Sequence, residues 1–429
     1  MNCNQCQQTL KGIACNTEVG VCGKNKDVHG LQENLIYTMK GISAYAYHAR
    51  ELGHVDEEVD AFLAEGLYST LTNVDFDLDS LFELNMKAGR ITLRAMELLK
   101  KAHNEAFGEM QPAKVATGTA AGPGIVVTGH NLKALHELLK QAEPHGVNVY
   151  THSEMLPAHA YPALKAFSNL KGNLGKAWFD QRKLFAEFPG AILGTSNCVL
   201  IPGGAYKDRI FTHGIAHLPG VNHIEGYDFS DLIAKAKALP PLKDEPGDAV
   251  LSTGFGDNVV LPLAGKILDL VKAGKIRRFF LVGGCDAPGS VRNYYRELVQ
   301  KAPKDSIILT LACGKFRFND LDLGDIEGIP RLLDMGQCND AISAIRVAGA
   351  LAEALGCTVN DLPLILVLSW MEQKAVAVLM GLFSLGIKGI YLGPTLPAWL
   401  TPGLIAKLQE AFDLRLTTTP EADLERMLA

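Results

Sequence analysis

The apolar residues of this chain change their spacing once, and that change limits the folds open to it. From residue 25 to residue 108 they recur every three to four positions in three runs, as in amphipathic helices. The clearest run is the third, which consists of Leu81, Leu84, Ala88, Ile91, Ala95 and Leu98. Beyond residue 124, short apolar runs alternate with helical stretches, a pattern typical of parallel sheets. The sequence therefore predicts a multidomain α/β protein, with an N-terminal three-helix bundle followed by two Rossmann-like domains whose sheets are mainly parallel.

Two segments rich in Pro, Gly and small residues interrupt these patterns, at residues 111–124 and 240–248. Such composition is typical of linkers. We therefore predict that residues 1–115 hold a cysteine loop and the helical bundle, residues 116–245 the first α/β domain, and residues 246–429 the second.

Charge and hydropathy exclude several classes of protein. The 41 Lys and Arg residues face 47 Asp and Glu residues, so the net charge is −6, and no basic face marks a nucleic-acid binder. The longest apolar run stops at Lys388 and is shorter than the ~20 residues that a membrane span needs. The chain opens without the basic and apolar regions of a secretory signal. We expect a cytoplasmic protein with no membrane or nucleic-acid partner, whose grouped cysteines serve metal binding or catalysis.

Four of the nine cysteines lie in the first 22 residues: Cys3, Cys6, Cys15 and Cys22. Four thiolates on one short loop can enclose either a zinc ion or an iron–sulfur cluster. Structural zinc sites usually use two closely spaced pairs, whereas only the first pair is close here. The spacing favours a cluster, with zinc as the alternative.

Reactive residues follow the predicted strands where the strands end. They are His130, Glu154, Cys198, Cys285, Cys313, Cys338 and Glu372, with Lys374 two positions further on. Ligands of open α/β sheets bind beyond the carboxyl ends of the strands. Thiolates select soft metals and iron–sulfur units, while carboxylates suit harder iron. The set therefore indicates a multinuclear iron site with both sulfur and oxygen around it.

Each of these residues also has a structural interpretation. A buried cysteine is often a small hydrophobic residue, and His130 or Glu154 could cap the helix that follows. The ninth cysteine, Cys357, follows a glycine typical of a helix C-cap, and we interpret it as a packing residue. A dinucleotide site is not indicated, because the glycines at 118, 122 and 124 precede a strand instead of following one. Electrons should therefore come from a separate protein.

Long stretches of the chain match one known family. They are the N-terminal cysteine loop, TGHNLKAL, YTHSEMLPAHAYPAL, TSNC, YKDRIFT, FFLVGGCDAPG, LTLACGKFRFN, LLDMGQCNDA and SWMEQKAVAVL. The sequence resembles the hybrid cluster proteins, also called hydroxylamine reductases. It is similar to a shortened class of that family, which has one N-terminal helical bundle where larger members have two.

The resemblance implies two cofactors. An N-terminal cluster would be held by the four cysteines of the loop, and their spacing resembles the [4Fe-4S] type more than the [2Fe-2S] type. A hybrid [4Fe-2O-2S] iron–sulfur–oxygen cluster would be held by the seven residues at the strand ends. Cys285 matches the family cysteine that can carry an extra sulfur as a persulfide, and Lys374 matches a lysine beside this cluster.

The implied activity is the reduction of hydroxylamine to ammonia and water, in a monomer or small homo-oligomer served by an external electron-donor protein. Glu372, Lys374 and His130 are the expected proton donors. One alternative is reduction of nitric oxide to nitrous oxide in nitrosative-stress defence. A second is a non-catalytic redox or NO-responsive protein. A third is a nickel-containing relative of carbon monoxide dehydrogenase, against which Glu154 and Glu372 argue.

Overall fold

The structure is a computed structural model that describes residues 1–370 and 372–429, so Met371 of the SWMEQKAVAVL motif lies outside the described residues. The helices are α1 Lys26–Glu51, α2 Glu57–Ser69, α3 Leu78–Phe107, α4 Leu132–Ala142, α5 Pro162–Lys165, α6 Gln181–Glu187, α7 Ser230–Ala238, α8 Asp257–Val260, α9 Ala264–Lys272, α10 Tyr294–Lys301, α11 Ala341–Leu355, α12 Gln373–Ser384, α13 Pro402–Phe412 and α14 Pro420–Leu428. The strands are β1 Ala113–Ala116, β2 Gly124–Thr128, β3 Asn148–His152, β4 Leu170–Asn173, β5 Ala191–Gly194, β6 Ile210–His213, β7 Asn222–Ile224, β8 Val250–Thr253, β9 Arg278–Gly284, β10 Ser306–Thr310, β11 Asp325–Ile326, β12 Ile329–Pro330, β13 Leu332–Asp334, β14 Leu364–Ser369, β15 Tyr391–Leu392 and β16 Arg415–Leu416. Among the described residues, every helix is too short or too polar to cross a bilayer.

The predicted fold class is confirmed, because three long helices precede α/β segments with parallel strands. By internal contacts the chain divides into two compact units. Unit 1 combines Met1–Lys101 with Ala352–Ala429, and unit 2 is Ala102–Leu351. The domain boundaries expected at residues 115 and 245 stay a prediction.

Close helix packing holds unit 1 together, and glycine makes it possible. A Cβ atom on Gly41 of α1 would lie 2.6 Å from the Ala377 Cβ of α12. A Cβ on Gly89 of α3 would lie 2.1 Å from the carbonyl oxygen of Met380, which also belongs to α12. Both helices can therefore approach α12 more closely than any residue with a side chain would allow. Strands β14, β15 and β16 run parallel in this unit.

Parallel sheets form the centre of unit 2. One sheet has the order β4-β3-β2-β5-β6-β7 with every pairing parallel, and β13, β10 and β9 pair in parallel in a second. All residues of β2, β3, β5 and β10 are buried. Burial on both faces explains why β2, β5 and β10 are largely apolar along their length instead of alternating. In each sheet the parallel alignment brings the carboxyl ends to one edge.

The two segments predicted as linkers are paired with each other, which corrects that interpretation. In the first segment, β1 runs antiparallel to β8, which follows the second segment. Bridges then join Thr119 to Glu245 and Gly122 to Leu242. The alternation of buried and exposed residues in β1 is the strand pattern that the composition concealed. These segments are part of the folded body of unit 2.

The glycine contacts in unit 1 lead to a stability prediction. Gly89→Ala should lower the free energy of unfolding by about 1–3 kcal/mol, because the added methyl group overpacks the contact with α12. The matched control is Gly349→Ala in α11, where nothing lies within 4 Å of the added Cβ. That change should raise stability by about 0.5–1 kcal/mol through helix propensity alone. Urea unfolding followed by circular dichroism checks both, and a stabilised Gly89→Ala variant would contradict the packing argument.

Candidate functional site

Six of the seven predicted strand-end residues lie in unit 2, a few positions beyond the carboxyl ends of six strands. His130, Glu154 and Cys198 follow β2, β3 and β5, and Cys285, Cys313 and Cys338 follow β9, β10 and β13. Five of these residues are buried and Cys198 is partly exposed. The two sheets thus direct three residues each toward a common region.

An imidazole, a carboxylate and a thiol meet at one point of this region. The His130 Nε2 and Glu154 Oε2 atoms are 3.7 Å apart. Potential ligand atoms of His130, Glu154 and Cys338 all lie within 4.8 Å of one another. The Cys338 amide donates to Glu154 Oε2 at 3.0 Å, and the Gln337 side chain donates to the Glu154 carbonyl oxygen at 2.7 Å. The three candidate ligands are therefore held together by contacts between loops that follow strands of the two sheets.

The remaining thiols adjoin this group. The pKa of Cys313 is raised well above its usual value by a hydrogen bond with Cys198, by burial, and by the negative charges of Glu154, Cys198 and Cys285. The Ser153 hydroxyl also lies 3.4 Å from the Cys313 sulfur. These neighbours disfavour the ionised form of Cys313, and a cation beside its sulfur would favour that form. The donor set of four sulfurs, one imidazole and one carboxylate thus fits a buried metal centre.

Each of the six residues is reached through a backbone position with positive φ. These positions are Gly129, Ser153, Cys198 itself, Gly284, Ala312 and Gly336, with φ from 53° to 131°. Three of them are not glycine, and a left-handed conformation costs such residues about 1–2 kcal/mol each. The turn ends the strand and redirects the chain at the sheet edge. Glycines before His130 and Cys285 are visible in the sequence, whereas nothing there marks Ser153 or Ala312 as strained.

Sequence reasoning missed Ser196, which orients His130. The His130 Nδ1 atom lies 2.8 Å from the Ser196 hydroxyl, which in turn donates to the Asn197 carbonyl oxygen at 3.2 Å. We therefore assign the His130 proton to Nδ1, which leaves Nε2 to face Glu154. The helix-capping alternative for His130 is wrong, because Asn131 accepts from the Ala134 amide and caps α4. The only signal was the position of Ser196 two residues before a candidate ligand.

A buried ion pair stabilises two of the loops that carry the cysteines. Lys315 and Asp334, with side chains 0% and 1% exposed, lie 2.6 Å apart. The same ammonium donates to the Gly336 carbonyl oxygen at 2.8 Å, next to the loop of Cys338. Breaking such a pair from one side costs about 3–5 kcal/mol, because a charge is left buried without compensation. Lys315 therefore ties the loop that follows β10 to the loop that follows β13.

The N-terminal cysteines form a second candidate site, in unit 1. All four line one small pocket. Cys3 and Cys15 exchange backbone hydrogen bonds of 3.2 and 2.8 Å, so the loop closes on itself. The backbone N–H groups of Val21 and Leu10 lower the pKa of Cys15, which favours its thiolate. None of the nine cysteines, all of which lie among the described residues, takes part in a disulfide, as a metal-binding role requires.

Glu372 and Lys374 lie in unit 1 at the beginning of α12. The Glu372 carboxylate accepts from the Lys374 amide at 3.2 Å and caps the helix, while the Lys374 side chain is buried. Their roles as ligand and proton donor stay predictions. Cys357 follows Gly356, whose φ of 65° ends α11, and the Cys357 amide donates to the Ala352 carbonyl oxygen.

The turn before His130 leads to a prediction about metal loading. A Cβ on Gly129 would lie 2.5 Å from the Thr195 hydroxyl and 2.8 Å from the Ser196 hydroxyl. Gly129→Ala should therefore displace His130 and weaken metal binding by about 10–100-fold. The control is Gly146→Ala, which has a φ of 64° but open space around the added atom. Iron content per chain checks both variants, and equal loss of iron in both would contradict the argument.

Comparisons with known proteins identify the family of the chain. The model of the Prismane/CO dehydrogenase family matches residues 1–83 and 77–425. A hydroxylamine reductase of Moorella thermoacetica is 62% identical over 428 residues, covering all of both chains. A hydroxylamine reductase of Thermotoga petrophila is 61% identical, covering all of this chain and 99% of the other. A Ni-free carbon monoxide dehydrogenase of Thermococcus sp. AM4, produced without the CooC maturase, superimposes with a TM-score of 0.79 at 18% identity, over 99% of this chain and 89% of that one. The chain belongs to the Prismane/CO dehydrogenase family.

Proposed function

We propose that this chain is an iron–sulfur oxidoreductase that reduces hydroxylamine to ammonia and water. The observation that carries the proposal is the convergence of four thiols, one imidazole and one carboxylate from six strand ends in unit 2. Full-length relatives at 61% and 62% identity that bear the name hydroxylamine reductase support the choice of substrate.

Two groups of residues would hold the cofactors. The N-terminal cysteines would hold a [4Fe-4S] cluster. The six residues of unit 2 would hold a hybrid [4Fe-2O-2S] cluster, with Cys285 able to carry the extra sulfur of a persulfide. When bound, the hybrid cluster would supply Lewis-acidic iron for the N–O unit of the substrate and a store of electrons.

The protein's own residues would bind, orient and protonate. The reaction NH₂OH + 2 H⁺ + 2 e⁻ → NH₃ + H₂O consumes two protons, and Glu372, Lys374 and His130 are the proposed donors. The exposed fractions of Glu154 and His130 are only 2% and 6%, so bulk water is kept from the reacting groups. Ser196 would keep the His130 ring in one orientation, and the Cys338 amide would do the same for the Glu154 carboxylate.

Electrons would enter through the N-terminal cysteine loop from an external donor protein. The loop suits that task because Cys3, Cys6 and Cys22 are each only partly buried. A small nitrogenous substrate and a separate electron donor are therefore the proposed partners.

The role of Glu372 can be tested without losing its helix cap. Glu372→Asn keeps a side-chain oxygen that can cap α12, since Asn is among the best N-cap residues, but removes the carboxylate. We expect hydroxylamine turnover with an artificial donor to fall by about 100-fold or more, in line with the 10²–10⁴-fold contribution of a positioned proton donor. Iron bound to the N-terminal loop should be unchanged. Glu353→Gln, at an exposed position of α11, serves as the control.

Wild-type hydroxylamine turnover in the Glu372→Asn variant would remove Glu372 from the mechanism. The same assay with nitric oxide as substrate separates the main alternative. Fast nitric oxide turnover with negligible hydroxylamine turnover in the wild-type protein would overturn the proposed substrate.

A further inference from the structure

We propose that Gln181 is a positioning residue that presents Cys198 to the metal centre. The inference rests on the proposed function only in assuming that iron binds at the six residues of unit 2. Gln181 begins α6, away from any strand end, and its side chain is 1% exposed. Its amide group is aimed at the loop that carries Cys198.

Both ends of the Gln181 amide bind the backbone around Cys198. The Nε2 atom donates to the Cys198 carbonyl oxygen at 2.5 Å, and Oε1 accepts from the Leu200 amide at 3.0 Å. The backbone of Cys198 is unusual, because its φ is 69°. A non-glycine residue holds such a conformation only when its surroundings determine it. The two hydrogen bonds of Gln181, one on each side of the 198–200 segment, hold Cys198 in this conformation.

The same short segment also reaches the opposite sheet. Trp178, three residues before Gln181, donates from its indole nitrogen to the Asp286 carbonyl oxygen at 3.0 Å. Asp286 follows Cys285 directly, so the turn from Trp178 to Gln181 contacts the backbone beside one candidate ligand of each sheet. The two hydrogen-bonding side chains thereby set the separation between the Cys198 and Cys285 loops before any metal binds.

Unit 2 contains a second glutamine with the same geometry but no candidate ligand beside it. Gln141 of α4 donates to the Tyr227 carbonyl oxygen at 2.7 Å and accepts from the Phe229 amide at 2.9 Å. The bracketed residues are again two positions apart. Gln141 is therefore a matched control, because substituting it removes the same two backbone contacts at a place away from the candidate metal site.

The experiment compares Gln181→Met with Gln141→Met in the anaerobically purified holoprotein. Methionine preserves the length of the side chain and removes both hydrogen bonds. The readouts are iron and sulfide per chain, the EPR spectrum of the reduced protein, and the rate of iron release to an added chelator. We expect iron release from unit 2 to be about 10–100-fold faster in Gln181→Met, as for other residues that orient ligands. Release from the N-terminal loop should stay at the wild-type rate, and Gln141→Met should match the wild type in both.

A second variant keeps the test decisive if Gln181→Met fails to fold. Gln181→Glu retains the acceptor for Leu200 but cannot donate to the Cys198 carbonyl oxygen, and it should give the same change in EPR spectrum and release rate. Wild-type spectra and release rates in either folded Gln181 variant would overturn the positioning role. Absence of any iron beyond the N-terminal cluster in the wild-type protein would instead overturn the proposed function.

Discussion

The hydrogen bond from the Cys338 amide to the Glu154 carboxylate is the contact on which the candidate site depends. It joins the loop that follows β13 of one sheet to the loop that follows β3 of the other, both within unit 2. Gln337 adds a second contact to the same loop of Glu154. Each contact pairs one backbone group with one side-chain group, and together they set the distance between the two loops while leaving the Cys338 thiol and the His130 imidazole available for metal. The carboxylate accepts from one amide and still faces His130.

Some features of the candidate site oppose folding, and contacts around it offset their energetic cost. Positive φ values at Ser153, Cys198 and Ala312 and a concentration of buried anionic groups both oppose folding. The surroundings offset them with buried hydrogen bonds and with the Lys315–Asp334 pair, which links the loops of two candidate ligands. Such a site is specified at the expense of stability, which is the usual balance at functional positions. Bound metal would relieve the repulsion that remains among the thiols and Glu154.

Periodicity predicted the elements better than composition predicted their boundaries. The three-residue to four-residue spacing over residues 25–108 became α1, α2 and α3, and each apolar run ending in a candidate ligand became a strand. The linker interpretation was wrong, because pairing between β1 and β8 depends on two segments more than 130 positions apart. Small residues hid that pairing, since close approach of two backbones requires small side chains and leaves a pattern that resembles a loop. The sequence did not reveal Ser196 because its partner His130 is 66 positions away, nor Gln181 because its contacts with the loop of Cys198 depend on how that loop folds back onto α6.

What the sequence determined by itself was which residues stand at the ends of parallel strands. That follows from local patterning, because an apolar run, a turn and a helix are all encoded within about 20 residues, and parallel strands share one direction. What only the tertiary structure decided was that His130, Glu154 and Cys338 lie within 4.8 Å of one another, and that Cys313 contacts Cys198. Those distances arise from contacts between loops of the two sheets and from left-handed turns at non-glycine residues. Neither is written in local sequence, since both depend on contacts between residues far apart along the chain.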